Sequence, residues 1–392
     1  MKLLAVAPQP FFTPRGTPFS VYYRTLVTAE LGAEVDLLTY GVGENVEIPG
    51  VRVVRIPRVR CLEPVPVGPS FRKLLLDGLM ILWTVGLLLR NRYDVVHAHE
   101  EAVFWCRFLK PVFRFRLIYD MHSSLPQQLR NFEFTKSRVL IGIFKVLEEG
   151  SLKSADAVVT ICPDLRDYAL KAGVSPDRHL MIENSIFDEI RLKQPGERPV
   201  APHGMQVARF APEHRIVFYA GTFERYQGIE MLLEAFARVV QRLPNSRLLL
   251  MGGTDRQVRE TRALANSLGV GNSCLVVGQS SKEEVMAQMQ LAHVVVSPRL
   301  HGTNTPMKIY EQLASGRPLV ATRIYSHTQV LDDSICFLVD PTADSLADGL
   351  CAALADDAAS AERARNAREF YGRKYSRPAY ESKIRRMLEI VS

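Results

Sequence analysis

The stretch "HVVVSPRLHGTNTPMKIYEQLASGRPLVAT", residues 293–322, has the order of a strand, a turn, a helix and a second strand. Its short apolar runs are rich in β-branched residues, which is typical of strands buried in a parallel sheet. Thr305 is the predicted helix cap and Pro306 the first helical residue, while Gly316 and Pro318 end the helix. A strand, helix and strand in this order predict an α/β fold.

The same alternation of strands and helices extends over most of the chain. Strand-like runs in the first half are "KLLAVAP", "EVDLLTY", "VRVVRIP", "DVVHAH", "RLIYDM", "AVVTIC" and "LMIENS", and those in the second half are "RIVFYAG", "SRLLLMGG", "CLVVGQ", "HVVVSP", "PLVAT" and "CFLVD". Residues 193–212 are rich in proline and predict a linker. We therefore expect two doubly wound Rossmann-like domains, residues 1–192 and 213–370, facing each other across a cleft. Residues 371–392 are expected to form a C-terminal helix that packs back on the first domain.

Composition fits this arrangement. The 392 residues are 47% hydrophobic, enough for two cores of ordinary size. Six cysteines are scattered without the short spacings of metal or redox motifs, so reduced thiols are expected. Pro8 and Pro10 interrupt the apolar N-terminus before a signal-peptide core could form. The expected location is the cytoplasm or the inner face of the plasma membrane.

The net charge of +7 is concentrated in one segment. Residues 51–116 hold twelve cations and five acidic residues, a difference equal to the whole surplus. Within it, "FRKLLLDGLMILWTVGLLLRNR" has an apolar middle shorter than the roughly 20 residues that span a bilayer. A buried helix beside the sheet is favoured there over an interfacial helix. The stretch "CRFLKPVFRFR", residues 106–116, mixes cations and aromatics and predicts peripheral contact with an anionic membrane. No nucleic-acid motif accompanies the charge.

Two loops have the features of anion sites. In "APQPFFTPRGTPFS", Arg15 and Gly16 directly precede a helix expected to be capped by Thr17 and to begin at Pro18, and free backbone N–H groups there attract phosphate. An ordinary capped turn is the alternative.

The second loop lies in the opening stretch. Arg299 and Gly302 precede its helix, and Lys308 and Glu311 form an i,i+3 pair near the helix start. Two cations beside a helix N-terminus favour a polyanion, and a carboxylate one turn later suits a vicinal diol. A nucleoside diphosphate has both groups. The alternative is a solvated surface ion pair.

Several motifs, taken in order, resemble the retaining glycosyltransferases of family 4. They include "RGTP", "YDVVHAH", "IYDMHSS", "ADAVVTIC", "IENSIFD", "VFYAGTFERYQGIEMLLEAFARVVQRLPNSRLLLMGG", "CLVVGQSSKEEVMAQMQLAHVVVSP" and "KIYEQLASGRPLVAT". The resemblance covers nearly the whole chain. It implies the GT-B fold, a nucleotide-sugar donor in the second domain, an acceptor in the first, and transfer without a metal or other cofactor.

The resemblance also implies roles for individual residues. His122 is expected against the donor sugar as a catalytic residue, and Gly278 at the nucleobase. His97 and His99 lack a visible further ligand set, so packing or contact with the acceptor beneath the cleft is expected for them rather than a metal. Arg15 is also expected on the acceptor side. The donor is expected to contact a larger group of residues: Gly16, Thr222, Arg225, Gly278, Gly302, Thr303, Asn304, Thr305 and Glu311.

The sequence departs from the family pattern at two places. Thr222 and Gln227 in "GTFERYQG" stand where family members commonly carry an arginine and a lysine for the diphosphate, and Thr303 replaces the first of two glutamates. We therefore expect Lys308 and Arg299 to supply the lost positive charge and to act in catalysis, while Glu311 holds the ribose.

The predicted function is transfer of a sugar from a nucleotide-diphosphate sugar to a lipid-linked or otherwise membrane-borne acceptor, with retention at the anomeric carbon. One alternative is another GT-B chemistry, such as a nucleotide-sugar epimerase or a transferase with a soluble acceptor. A nucleotide-binding scaffold without catalysis is the other.

Overall fold

The structure is a computed structural model, and it describes residues 1–13, 16–65, 70–124, 138–184, 210–302 and 305–392. The chain divides into two compact units. The first comprises Met1–Pro195 and Arg377–Ser392, and the second comprises Gly196–Ser376. The second unit therefore continues six residues beyond the predicted boundary at residue 370. Most of the expected linker, residues 193–209, lies outside the described residues.

The first unit is built on a parallel sheet of seven strands in the order β3-β2-β1-β4-β5-β6-β7. The strands are β1 Lys2–Ala7, β2 Glu34–Thr39, β3 Val51–Arg55, β4 Val95–His99, β5 Arg116–Met121, β6 Ala157–Thr160 and β7 His179–Met181. All five residues of β4 are buried. A strand covered on both faces explains why the sequence shows continuous apolar runs rather than alternation.

Helices cover both faces of this sheet. They are α1 Gly16–Glu30, α2 Phe71–Arg90, α3 Val103–Phe113, α4 Arg138–Ser154 and α5 Pro163–Lys171. Helix α1 begins at Gly16, so Thr17 lies inside the helix and the predicted cap at Thr17 is wrong. The helix ends as expected before Gly32, which has φ +95°.

Helix α2 differs from the favoured interpretation of a buried helix. Leu76, Met80, Thr84 and Leu88 face the core at intervals of four residues. The opposite side leaves apolar side chains in solvent, including Leu82 at 64% exposed. The sequence was too uniformly apolar to separate the two faces, so only packing shows that one of them is not covered by any described residue. No helix in the described part of the chain is both long and apolar enough to cross a membrane.

The second unit has a six-stranded parallel sheet in the order β10-β9-β8-β11-β12-β13. Its strands are β8 Arg215–Ala220, β9 Ser246–Met251, β10 Cys274–Val277, β11 Val294–Ser297, β12 Leu319–Thr322 and β13 Phe337–Val339. Its helices are α6 Ile229–Arg242, α7 Asp255–Ser267, α8 Lys282–Leu291, α9 Met307–Ala314, the short α10 Tyr325–Thr328, α11 Ala343–Ala355 and α12 Asp357–Lys374. Two parallel-sheet Rossmann-like units are the fold that the sequence predicts.

The last helix, α13 Arg377–Val391, belongs to the first unit. Tyr380, Ile384 and Met387 are buried in the same apolar core as β1 and α1. At its start, Arg377 forms an ion pair of 2.6 Å with Glu30 at the end of α1. The chain therefore completes the core of its first unit with its final residues.

Strand order fixes where a ligand can bind in each unit. The order reverses between β1 and β4 in the first sheet and between β8 and β11 in the second. At such a switch point the loops after the two strands diverge and leave a crevice at the carboxyl edge. The loops that follow β8 and β11 contain the altered "GTFERYQG" motif and the segment before α9.

Candidate active site

Close backbone approaches hold the loops at the carboxyl edge of the second sheet together. A Cβ on Gly252, after β9, would lie 1.9 Å from the carbonyl oxygen of Gly221, after β8. Similarly, a Cβ on Gly228 would lie 2.1 Å from the carbonyl oxygen of Pro298, after β11. Glycine is needed at both places because no side chain fits. The start of α9 is thereby positioned beside the loop after β8.

Lys308 lies on the first turn of α9 and its side chain extends to that loop. The Lys308 Nζ donates a hydrogen bond of 2.9 Å to the Gln227 Oε1. The same ammonium lies 4.3 Å from the centre of the Tyr219 ring. Burial, and then the charge of Arg299, lower the pKa of Lys308 to about 7. A cation held without a carboxylate partner among the described residues is suited to an incoming anion.

Arg299 forms the second cation of this group. Its guanidinium lies 5.2 Å from the centre of the Tyr226 ring, and its Nε donates a hydrogen bond of 2.9 Å to the His301 carbonyl. A Cβ on Gly302 would lie 2.3 Å from the Arg299 Nη2, so this arginine packs directly over the glycine. Burial lowers the pKa of Arg299 from its usual value.

Glu311 follows one turn later on α9 and does not pair with Lys308. Lys308 is directed to Gln227, so the alternative of a surface ion pair between Lys308 and Glu311 is wrong. Burial raises the pKa of the Glu311 carboxyl, and the charge of Lys282 opposes that rise. Because Lys308 and Glu311 do not pair with each other, each can contact a different part of a ligand.

The start of α9 also differs from the prediction. The helix begins at Met307, with Pro306 in the cap position and no side-chain capping bond. Thr305 is therefore not the cap, and its Oγ1 is buried without a hydrogen-bond partner in the described part of the chain. Ile309, Tyr310 and Leu313 enter the apolar core. The expected donor contacts at Thr303 and Asn304 lie outside the described residues.

The other donor residues of this unit border the same edge. Gly278 accepts a hydrogen bond of 3.1 Å at its carbonyl from the Gly252 N–H, and a Cβ on Gly278 would meet nothing within 4 Å. The Thr222 carbonyl accepts a bond of 2.7 Å from the Tyr219 hydroxyl. Arg225 lines a separate shallow depression with Phe223 and other residues. The structure therefore brings Lys308, Arg299 and Tyr219 together and leaves Arg225 apart.

In the first unit, the predicted histidines surround a buried carboxylate. Asp120, at the end of β5, forms a fully buried ion pair with Arg24 of α1. The Asp120 Oδ2 lies 3.0 Å from the His97 Nε2 and 3.5 Å from the His99 Nδ1, and the Asp120 Oδ1 lies 3.3 Å from the His122 Nε2. Burial alone would raise the pKa of Asp120, but Arg24 and the histidines hold it well below the usual range.

This arrangement limits what the histidines do. His97 and His99 are each 1% exposed, so both rings are packed in the interior of the first unit, which is one of the two expectations for them. Burial lowers the pKa of His99 well below its usual value and that of His122 to about 4, so both rings are neutral near pH 7. His122 is 3% exposed and remains a predicted contact of the donor.

The group is also a poor metal site. His97, His99 and Asp120 present ligand atoms within 4.8 Å of one another. However, the guanidinium of Arg24 already occupies the Asp120 Oδ2, and its fixed charge would repel a cation. The sequence analysis did not predict the ion pair between Arg24 and Asp120. A signal for it is present, since each of these charged residues lies within an apolar helix or strand and needs a buried counter-charge.

The first unit has a second cluster of polar side chains, which the sequence analysis did not predict. Lys73 of α2 forms an ion pair of 3.0 Å with Glu101, directly after β4, and the Tyr40 hydroxyl donates to Asp77. Burial raises the pKa of Asp77 to about 7, and burial with the charge of Glu101 raises that of Glu100 to about 7. Gly16 opens α1 at this edge, whereas Arg15 lies outside the described residues.

Comparison with known proteins matches both units. The family described as glycosyl transferases group 1 matches residues 204–370, and the glycosyl transferase 4-like domain matches residues 25–185. The chain is 24% identical over 317 residues to a D-inositol 3-phosphate glycosyltransferase of Corynebacterium efficiens, covering 76% of this chain and 71% of that protein. It is 30% identical over 207 residues to a phosphatidyl-myo-inositol mannosyltransferase of Mycobacterium tuberculosis, covering 49% of this chain and 53% of that protein.

Solved structures share the fold. Sucrose-phosphate synthase from Thermosynechococcus elongatus superposes with a TM-score of 0.73 at 21% identity, covering 100% of both chains. Anabaena HepE in complex with UDP and glucose gives a TM-score of 0.68 at 15% identity, covering 99% of both chains.

These matches define the class of protein: it is a glycosyltransferase with the GT-B fold. Within that class, the two matched domains and the inositol-directed relatives place the chain among the enzymes of the family 4 type.

Proposed function

We propose that this glycosyltransferase moves a sugar from a nucleotide-diphosphate sugar to a lipid-linked or otherwise membrane-borne acceptor, with retention and without a metal. One observation carries the proposal. The Lys308 ammonium donates a hydrogen bond of 2.9 Å to Gln227, the residue that stands where related enzymes commonly carry a lysine for the diphosphate. A cation from α9 thus takes the place of the one lost from the loop.

Charge at this place serves the chemistry of transfer. Breaking the bond between the anomeric carbon and the donor phosphate leaves negative charge on the departing diphosphate. Lys308, with Arg299 beside it, would oppose that charge from fixed positions in a partly buried site, where electrostatic stabilisation is strong. Because the charge grows in the transition state, such cations lower the barrier more than they strengthen donor binding. With two cations in this role, the proposal requires no metal.

Glu311 has a separate role in the proposal. Its carboxylate lies one helical turn after Lys308, at a spacing that suits the ribose of a nucleotide whose phosphates reach Lys308. Two hydroxyls of the ribose would donate to it, and such charge-assisted hydrogen bonds are stronger than neutral ones. For retention, the acceptor hydroxyl attacks from the face of the leaving diphosphate, which takes up its proton.

The comparisons support the substrate classes. HepE was crystallised with UDP and glucose, which favours a nucleotide sugar as the donor. One relative is named for phosphatidyl-myo-inositol, a lipid, and another for an inositol phosphate. We favour the lipid because the first unit of this chain has a basic segment and an exposed apolar helix face.

The test is donor turnover by the Lys308→Ala enzyme. A panel of UDP and GDP sugars first identifies a donor that the wild-type enzyme transfers to lipid extracts in vesicles. We expect Lys308→Ala to lose about a hundredfold in turnover, corresponding to about 3 kcal/mol of transition-state stabilisation. Binding of the nucleoside monophosphate, which lacks the second phosphate, should change much less.

Two further variants make the result specific. Gln227→Lys in the Lys308→Ala background returns a cation to the same place and should restore part of the turnover. Lys374→Ala removes an exposed lysine of the same unit that lies over the Phe370 ring, and it should leave turnover unchanged. A folded Lys308→Ala enzyme with full turnover would refute the relocated cation. Nucleotide binding without any transfer would favour the scaffold alternative.

A further inference from the structure

Three arginines line one open cavity of the first unit. Arg90 is the last residue of α2, Arg92 lies two residues later, and Arg114 caps the end of α3. The cavity has a volume of about 470 Å³ and also includes Leu89 and Phe113 in its lining. Within the described ranges, no acidic side chain forms an ion pair with any of the three arginines. Three exposed arginines around one open cavity concentrate positive charge there, which favours an anion.

The other cations of residues 106–116 already have partners within the first unit. Lys110 and Arg116 both pair with Asp156, at 2.7 Å and 3.2 Å. Arg107 donates a hydrogen bond of 2.9 Å to the Leu147 carbonyl. Of the four cations between residues 106 and 116 that the sequence predicted to contact a membrane, only Arg114 has no side-chain partner among the residues that the structure describes. The sequence places these cations in one segment, but it could not show which of them already have partners.

An apolar surface adjoins the cavity. On the outer side of α2, Phe71, Leu82 and Leu89 are 70%, 64% and 72% exposed, and Leu89 also lines the cavity. Helix α3 packs against α2, and α4 packs against α3. Both expose further apolar side chains: Phe108 and Val112 on α3, and Ile143 and Val146 on α4. Large apolar side chains exposed on three adjacent helices indicate a surface that is covered in function.

We propose that Arg90, Arg92 and Arg114 form a binding site for the phosphate of an anionic lipid headgroup, and that the outer side of α2 lies in the membrane interface beside it. This inference rests on the membrane-borne acceptor of the proposed function and assigns the surface that meets the membrane. Charge complementarity determines the occupant. Arginine binds phosphate oxygens through paired N–H donors, and the adjoining apolar side chains fit acyl chains rather than water.

A soluble phosphate compound has the same charge but lacks the acyl chains. If the site served such a compound, the cavity would be used and the outer side of α2 would remain in water. The two parts of the surface therefore need separate variants. The cavity variant is Arg90→Gln, Arg92→Gln and Arg114→Asn, with asparagine at residue 114 because its backbone is left-handed, with φ +58°. The apolar variant is Phe71→Gln with Leu82→Gln, because neither side chain lines the cavity.

The experiment is sedimentation of the full chain with vesicles of phosphatidylglycerol and phosphatidylcholine, compared with phosphatidylcholine alone. The wild-type chain should bind only the anionic vesicles. The cavity variant should bind them on the order of a hundredfold more weakly, at about fivefold for each arginine. The apolar variant should also lose binding, although its charge is unchanged.

The matched control removes three exposed arginines from the second unit, Arg259, Arg365 and Arg373, each replaced by Gln. It loses the same charge and should retain vesicle binding within a few-fold. If the control variant lost as much vesicle binding as the cavity variant, net charge alone would explain the loss, and the proposed binding site would be overturned. Vesicle binding by the cavity variant at the wild-type level would overturn it as well.

Inorganic phosphate separates the lipid from a soluble ligand. Stabilisation of the wild-type chain by millimolar phosphate, without binding to anionic vesicles, would overturn the membrane surface. Transfer of the sugar to a detergent-dispersed acceptor is measured separately. Sugar transfer without vesicle binding would support the proposed function and overturn the membrane surface. Vesicle binding without sugar transfer would support the membrane surface and contradict the proposed function.

Discussion

At the scale of single residues, Lys308 has the most informative environment. Its ammonium is held by Gln227 and lies over the Tyr219 ring, and it is close to a second cation, Arg299. Both burial and that neighbour disfavour the charged form. A lysine in such a place is charged only part of the time near neutral pH, until an anion reaches it.

This environment predicts that nucleoside diphosphate binding takes up a proton. The pKa of Lys308 is about 7 in the free chain, so the ammonium is mostly present below pH 7 and is lost as the pH rises. A bound diphosphate favours the charged form and raises this pKa. Between the two pKa values binding therefore adds a proton, with an uptake of more than about half a proton at about pH 8. Affinity should fall as the pH rises above 7.

Calorimetry with UDP and GDP in two buffers of different ionisation enthalpy measures that uptake. Other ionisable groups face Lys308 or act on it: Tyr219 from β8, Arg299 after β11, and His327 from α10, while Tyr226 lies against Arg299. The pKa of His327 is about 4, so it stays neutral in this range. Lys308→Gln should abolish the uptake. If that variant kept the buffer dependence, another group would have to be the source of the proton.

At the scale of elements, the site depends on how closely the loops after β8 and β9 approach each other. Gly252 has φ +131° and lies against the Gly221 carbonyl. A side chain there would be strained by its backbone conformation and would also collide with main-chain atoms that cannot rotate away. The loop that carries Thr222 and Gln227 would then have to move.

Gly252→Ala should therefore destabilise the second unit by about 3 kcal/mol or more and weaken nucleoside diphosphate binding. Thermal unfolding and calorimetry measure the two effects. Gly78→Ala is the matched control. Gly78 lies within α2, a Cβ there would meet nothing within 4 Å, and alanine should stabilise the helix by up to about 1 kcal/mol. Unchanged stability of Gly252→Ala would mean that the two loops separate at little cost.

At the scale of the whole molecule, the first unit depends on the end of the chain. Helix α13 is separated in sequence from the rest of the first unit by the entire second unit, yet it supplies part of the apolar core beneath β1. Besides its apolar contacts, Lys383 forms an ion pair of 2.5 Å with Glu183 near the end of β7. The first unit is therefore complete only after the second has been synthesised.

Ile384→Ala should destabilise the first unit by about 2–5 kcal/mol, because Ile384 is fully buried and its loss leaves a cavity. The matched control is Ile390→Ala in the same helix, at a side chain that is only partly buried, and its cost should be smaller. Calorimetric unfolding should show the transition of the first unit shifted to lower temperature. Nucleotide binding, which is assigned to the second unit, should persist. Equal effects of the two substitutions would mean that α13 is not part of the core.

The sequence by itself determined the architecture and supplied the ionisable residues of the proposed donor site. Apolar runs of four to six residues, separated by helical periodicity, specify two parallel sheets because strands covered on both faces cannot contain alternating polar residues. The position of Lys308 and Glu311 just after a glycine turn indicated an anion site at a helix start. These signals are local, since they depend on backbone geometry and burial within one element.

Only the tertiary structure decided how charges pair across the chain. Asp120 and Arg24 are 96 positions apart, and Lys308 and Gln227 are 81 positions apart, so no local pattern announces either contact. The same holds for Asp156, which neutralises Lys110 and Arg116 and leaves Arg114 with Arg90 and Arg92 at the open cavity. A charge acts through distance and local dielectric, and both are set by packing. The sequence therefore supplied the ionisable groups, and the fold determined which of them remain available for a ligand.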